Sequence, residues 1–574
     1  MTSPVPVPSS RRPAPRLPLS RAVARAVPIA IALAHLPVAA SAQSLTAAES
    51  ARVDSVFSRF AGASPGCALD VHRAGAQAYA KGYGLASLEL GVPITPKTVF
   101  DLGSTSKQIT SAAVALLAID GKLSLDDDIR KHVPELPDLG HTITLRHLLT
   151  HTSGWRDYID IMIMEGWDDR DHTTDREALA ALVRQRALNY VPGTDHRYSN
   201  TGYFLAAEVV KRVSGKSLAE FARERIFEPL GMKSTRYLTD AREVIPGKAT
   251  GYQPAPGGKW LVAMSDWEQV GDGGVQSTVE DLALWDANLE TGKVGGKKLI
   301  EMLTTTMRLN DGTPLTYALG INVDEYGGRR RLQHGGAWAG FRAHQAQFPT
   351  ERVSILLACN AANANTMQLV NGVADALFGK AVASAAATNG RAGDGAAPGT
   401  GIPTGMRAAD LAGTYFAEGA MQLIRLTADG DSLVVAGPRR LVLQPVASGH
   451  FRHPANGADM RFERDARGHR WLVQMGQGRP TALMRVDQMP EPAPLADYAG
   501  TYASEEAGTE WKVSARDGGI AIQRKRGQEE VLRPAFRDAF VGPGIVRFER
   551  DASGRVVALR VSTRGAEALR FEKR

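Results

Sequence analysis

The chain has 574 residues, 43% hydrophobic and 22% charged, a globular composition with core enough for roughly two to four domains and no collagen-like or acidic low-complexity bias. Its formal net charge of +7 hints at a polyanion partner, but residues 1–42 hold five arginines (Arg11, Arg12, Arg16, Arg21, Arg25) and no acid, leaving +2 for the rest. Charge therefore gives no support for nucleic-acid binding.

In chain order, the first element reads as a secretory signal. The arginines precede the apolar run AVPIAIALAHLPVAA, and Ala40-Ser41-Ala42 makes an A-x-A-type cleavage site before Gln43. Pro28, His35 and Pro37 break the run, which argues against a stable membrane span, the competing reading. SRRPAP is a poor twin-arginine signal, and no cysteine near the cleavage site marks a lipoprotein. The protein is expected to be exported, either periplasmic or secreted.

From Ser44 to about Lys380, strand-like and helix-like segments alternate. The two cysteines, Cys67 in PGCALDVHR and Cys359 in RVSILLACN, exclude a disulfide framework and a cysteine-rich zinc site. One bridge between neighbouring strands and two buried thiols both remain open. The stretch VFDLGSTSKQIT follows, with apolar residues at helical spacing (Ile109, Ala112, Ala113, Leu116, Leu117). A helix starting near Ser104 puts Ser104 and Lys107 on one face, with the serine at the positive end of the dipole. A serine needs an adjacent base to attack, and a lysine serves only if its pKa is depressed. Read alone, this is more simply an N-cap serine beside a solvated lysine.

Further on, Asp126-Asp127-Asp128 after Ser124 reads as a charged first helical turn, not a metal site. GDGGVQ at 271 fails the dinucleotide glycine pattern, SGKS at 214 lacks the upstream glycine of a phosphate loop, and there is no H-E-x-x-H. No metal and no organic cofactor is expected. Residues 381–406 are almost wholly Ala, Gly, Thr and Pro and read as a flexible linker. Beyond it, DLAGTYFAEG at 410 returns as DYAGTYASEE at 497, and RFERD at 461 returns at 547. Two tandem β modules, 407–490 and 491–574, are expected.

Two more motifs change the weight of STSK. HRYSNTGY holds Tyr198-Ser199-Asn200, and QHGGAWAG holds His334-Gly335-Gly336. Serine-x-x-lysine, then Tyr-x-Asn, then a basic residue before x-Gly, in that order, resembles the penicillin-recognising serine hydrolases, in particular their class C β-lactamase and D-aminopeptidase branch. TLRHLLTHTSGW at 144, FEPLGM at 227 and GDGGVQSTVEDLALW at 271 extend the resemblance.

The resemblance implies an α+β fold: a β-lactamase-like domain at 43–380, with an antiparallel sheet flanked by helices and a helical subdomain, followed by two small antiparallel β-barrels. It also allows the strands carrying Cys67 and Cys359 to be neighbours. Ser104 would be the acylated nucleophile, Lys107 its partner in deprotonation, Tyr198 a proton relay and Asn200 an orienting group. The N–H groups of Ser104 and Ala337 would form the oxyanion hole, with Gly335 and Gly336 lining the same edge. His334 stands where a lysine is usual and is expected to be partly charged near pH 7. With Gly335 beside it, this weakens the grip on a β-lactam carboxylate and favours D-aminopeptidase or esterase chemistry. The expected substrates are small peptides, above all those containing D-amino acids, with an ester or β-lactam as the alternative. A penicillin-binding-like sensor without turnover is the alternative of another kind. Oligomeric state is not set by the sequence.

Other side chains fit bland roles as well. His151 reads as the brace of a turn, with a place in the cleft as its alternative, and His141 and His147 as surface or helix residues. Arg342 is a candidate for a substrate carboxylate, and Trp155 and Tyr158 are cleft wall or core.

Overall fold

The computed structural model describes residues 44–379 except 61, and residues 402 and 406–574 except 418–421, 438–439, 454–457, 465–469, 476–480, 487–493, 528 and 543. The signal at 1–42 and nearly all of the linker at 381–406 lie outside the described residues.

Six antiparallel strands organise the first domain: β1 (Cys67–Arg73), β2 (Ala76–Tyr83), β3 (Asn322–Tyr326), β4 (Arg329–Trp338), β5 (Phe341–Phe348) and β6 (Val353–Cys359). Their order is β3-β4-β5-β6-β1-β2, so the two ends of the domain's chain meet in the sheet. There Cys67 stands opposite Cys359, and the two form a disulfide, which settles the bridge against the free thiols.

The helices that matter here are α1 (Ala47–Val56), α2 (Lys107–Ile119), α3 (Tyr158–Glu165), α4 (Thr201–Ser214) and α5 (Thr366–Phe378). β6 reads VSILLAC with every residue buried, as a strand covered on both faces must be. Its alternation sends Ile355 and Leu357, with Leu69 and Val71 of β1, into a layer with Val53 of α1 and Val370 and Val373 of α5. Leu356, Ala358 and Ala68 face a larger core on the other side. α2 and α4 run through that core and contact each other; Lys107 to Leu117 and Thr201 to Val210 are buried without a break. A helix apolar nearly all round belongs inside.

The repeat appears as two β modules. Eight strands from Gly500–Ser504 to Leu569–Lys573 form a closed barrel. In the first module nine strands form one sheet whose edges are Leu441–Val442 and Gln444–Ala447, with only Leu443 between them in the chain. The single strand Glu530–Phe536 holds the matching place in the second module. The first module is therefore the same barrel with one strand interrupted, and it is nearly closed.

The two barrels differ in attachment. Trp511, Tyr502 and Phe571 of the second belong to the main core of the hydrolytic domain, and the Trp511 indole N–H donates to the Met164 carbonyl at 2.9 Å. The first barrel has its own core and meets the second through Phe416 and Phe536, rings 4.8 Å apart.

Candidate active site

Ser104 lies on a tight 3₁₀ turn, Gly103–Ser106, and α2 begins only at Lys107. In a 3₁₀ turn residues i and i+3 eclipse, so the expected pairing survives the later helix start. The Lys107 Nζ lies 3.2 Å from the Ser104 Oγ. Two contacts fix the turn against β4. Gly103 has φ +48°, and a Cβ there would come within 2.7 Å of the Ala337 nitrogen. A Cβ on Gly336 would come within 1.9 Å of the Leu102 carbonyl oxygen. Both glycines permit close backbone approach, which makes Ala337 a neighbour of Ser104.

Lys107 is buried, and its amine also donates to Asn200 Oδ1 at 2.9 Å and to the Asp272 carbonyl at 2.6 Å. Desolvation pulls its pKa down from 10.5 to about 8, against the opposing charges of Asp272 and Asp157. A neutral amine has two N–H bonds and one lone pair. Two of the three partners only accept, so the lone pair falls toward the Ser104 hydroxyl. That is the geometry of a general base.

Tyr198 and Asn200 come from the turn before α4. Burial keeps the Tyr198 hydroxyl protonated by raising its pKa far above the usual phenol range, with neighbouring Ser104 opposing the shift only in part. Its ring lies 4.9 Å from the Lys107 Nζ. Of the two candidate bases, the lysine is thus the one tuned for the task. Asn200 donates its backbone N–H to Asp157 Oδ2 at 2.5 Å, and Asp157 also caps α3 by accepting from the Ile159 N–H. Burial, with the charges of Asp160 and Asp272, pushes Asp157 up to about 7.

His334 is not the partly charged group expected. Burial first, and the Lys107 charge second, lower its pKa to about 4. Its Nδ1 lies 2.6 Å from the Gly335 carbonyl, which only accepts, so Nδ1 carries the proton. The Nε2 is then bare and accepts from the Tyr317 hydroxyl at 2.9 Å. The ring is a neutral wall of the site, set in one tautomer.

Ser104, Tyr198, Asn200, His334, Gly335, Gly336 and Ala337 all line one cavity of about 670 Å³. The beta-lactamase family profile matches residues 46–380, more than half of the chain. The chain belongs to the beta-lactamase family. Within it, a D-aminopeptidase of Gluconobacter oxydans is 27% identical over 559 residues, spanning 92% of this chain and 99% of its own length. A D-aminopeptidase of Cereibacter sphaeroides is 26% identical over 83% of this chain and 87% of its own. Among solved structures, the octameric penicillin-binding protein homologue from Pyrococcus abyssi superposes with TM-score 0.53 at 21% identity, covering 76% of this chain and 99% of that one. A penicillin-binding protein from Bacillus halodurans gives 0.50 at 23%, covering 57% and 99%. The fold is shared, and the protein is a serine hydrolase.

The candidate site also gathers residues to which sequence alone assigned no role. Asp272, in the GDGG stretch, gives its carbonyl to Lys107 and its carboxylate to the Tyr158 hydroxyl, 3.2 Å away. Asp157 follows the LLTHTSGW stretch, and Tyr317 sits in an unremarkable turn. Only three-dimensional proximity selects either of them. Arg564, from the second barrel, lines the cavity too.

Among the weighed residues, His151 is a brace. At φ +57° it is buried, accepts from the Ser199 N–H at 3.1 Å, and packs against the Tyr198 ring, tilted, with centroids 4.3 Å apart. Trp155 is core and Tyr158 is both core and cavity wall, while His141 is exposed and His147 closes a capping box with Thr144. Arg342 lines the cavity, but its guanidinium donates to the Ala339 and Phe341 carbonyls. The aspartate triplet precedes rather than opens its helical turn. Asp128 caps Ile129–Lys131, and the three pair with Arg146, Lys131 and Arg130.

Proposed function

We propose that the protein is an exported hydrolase of D-amino-acid-containing peptides that works through an acyl-enzyme on Ser104. The observation that carries this is the three-way anchoring of a desolvated Lys107, whose third position faces the serine. Lys107 takes the Ser104 proton as Oγ adds to the substrate carbonyl, and the Ser104 and Ala337 N–H groups receive the oxyanion. Such donors are commonly worth about 3–4 kcal/mol of transition-state stabilisation. The proton then passes through the Tyr198 hydroxyl to the leaving nitrogen, and water enters by the reverse route to release the acyl group.

Two D-aminopeptidases that align over most of the chain support the substrate class. Neutral His334 and side-chain-free Gly335 offer no fixed charge or hydroxyl on β4 for a β-lactam carboxylate, which speaks against a dedicated β-lactamase. Export is supported by the arginine-led apolar run with its A-x-A site and by the Cys67–Cys359 bridge, a bond that persists in oxidising compartments. A substrate panel tests the reading. D-alanine p-nitroanilide should be turned over faster than its L-isomer, nitrocefin and p-nitrophenyl butyrate. A preference for nitrocefin, or for the L-isomer, contradicts it.

A further inference from the structure

The loop at 563–568 joins the last two strands of the second barrel and enters the cavity that holds Ser104. Its backbone is fixed from both sides. Thr563 Oγ1 and the Gly565 N–H donate to Asp160 Oδ2 at 2.7 and 2.6 Å. The Gly565 carbonyl accepts from the Asp157 N–H at 2.8 Å and from Asn189 Nδ2 at 2.9 Å. The Glu567 N–H donates to Asn189 Oδ1 at 2.9 Å, and the Glu567 carboxylate pairs with Arg197. Gly565 is pressed so close that a Cβ would come within 2.4 Å of the Asp157 Cβ.

Amid these anchors Arg564 differs from its neighbours. Its side chain is exposed toward the cavity and makes no hydrogen bond or ion pair among the described residues. The nearby Asp160 oxygen is occupied by the loop's own N–H and hydroxyl groups. Of the other cations that line the cavity, Arg342 is held by two carbonyls and Lys248 is half-buried beside the charge of Asp101. The part of β4 that lines the cavity, Gln333 to Trp338, contributes no charge, because His334 is neutral and Gly335 has no side chain. One uncommitted guanidinium therefore stands on a rigid base in the cleft. Its planar fork of donors matches a carboxylate bidentately, and little entropy is lost when the base is already ordered.

The position also tells which end of a substrate it meets. The loop sits on Asp157 and Arg197, and both hold the 196–200 segment that carries Tyr198. Tyr198 is the group assigned to protonate the leaving nitrogen, and the Arg564 charge reaches it. The oxyanion side, at β4, is a different wall of the cleft. We infer that Arg564 is a specificity-determining residue that receives the carboxylate of the departing group, so that the second barrel completes the substrate site and favours peptides whose leaving residue ends in a free carboxylate. This rests on the acyl-enzyme reading given above.

The test compares matched substrates that differ in that carboxylate alone. One pair is 3-carboxyphenyl acetate and phenyl acetate; the other is D-alanyl-D-alanine and its C-terminal amide. The readout is the carboxylate-to-neutral ratio of kcat/KM in the full chain, for wild type, Arg564→Ala, Arg564→Lys and Arg564→Glu, with melting temperatures to confirm folding. The ratio should fall about ten- to a hundredfold in Arg564→Ala, recover in part in Arg564→Lys and fall furthest in Arg564→Glu. A ratio within twofold of wild type in both the Ala and the Glu variants overturns the inference. If the wild type cleaves the esters but neither dipeptide, the D-peptide reading fails while the ester ratio still decides Arg564. If it cleaves none of the four, the acyl-enzyme reading and this inference fall together.

Discussion

At Lys107, burial and hydrogen-bond geometry act in the same direction. Desolvation brings the amine to a pKa of about 8, and the Asn200 and Asp272 acceptors leave its lone pair facing Ser104. A base must be deprotonated to act, so kcat/KM should rise with pH below about 8 and level off above it. Lys107→Met should lose that limb together with about 10²–10⁴ of the rate. A wild-type profile flat from about pH 6 to 9 would remove the lysine from this role. For His334 burial acts in the same direction but takes the group out of the working range. Its folded pKa is lowered to about 4, so it is already neutral throughout the working range. His334→Gln should therefore change the level of the pH–rate profile but not its shape. Disappearance of a titration near 6.5 in that variant would show that the ring is charged after all.

Among the elements, the Gly103–Ser106 turn against β4 is the joint on which the proposed site depends. Gly336 touches the Leu102 carbonyl so closely that even a methyl group must move one of the two backbones. Gly336→Ala should cost at least about a hundredfold in kcat/KM, since a shift near 1 Å at the reacting groups is felt at that scale. Circular dichroism would check that the fold remains, and an active, unshifted variant would refute the joint. This part of the site was legible in the sequence because S-x-x-K, Y-x-N and H-G-G stand in the order of a known family's motifs, whereas S-x-x-K read alone favoured an ordinary helix cap. Asp157, Tyr317 and Arg564 were not legible, for each lies outside the motifs and is brought to the site only by the fold, as when the Asp157 carboxylate meets the Asn200 N–H. The His334 charge was misjudged for the same reason, since burial depends on tertiary context and not on local pattern.

Across the whole molecule, the two barrels are alike in sequence and unlike in attachment. The repeat at 410 and 497 predicts their strands, but nothing in it tells that only the second shares its core with the hydrolytic domain. Trp511 and the 563–568 loop join that barrel to α3 and to the cleft. Hydrogen exchange should then show the hydrolytic domain and the second barrel opening as one cooperative unit, with the first barrel exchanging independently at a lower free energy. Equal protection in the two barrels would contradict this division.

In the proposed mechanism Ser104 carries the acyl group. Intact-mass spectrometry after brief incubation with an activated ester such as p-nitrophenyl acetate measures it directly. The wild type should gain the mass of one acyl group, and Ser104→Ala should gain none. An adduct of equal yield in Ser104→Ala would show that the acyl group sits on another residue.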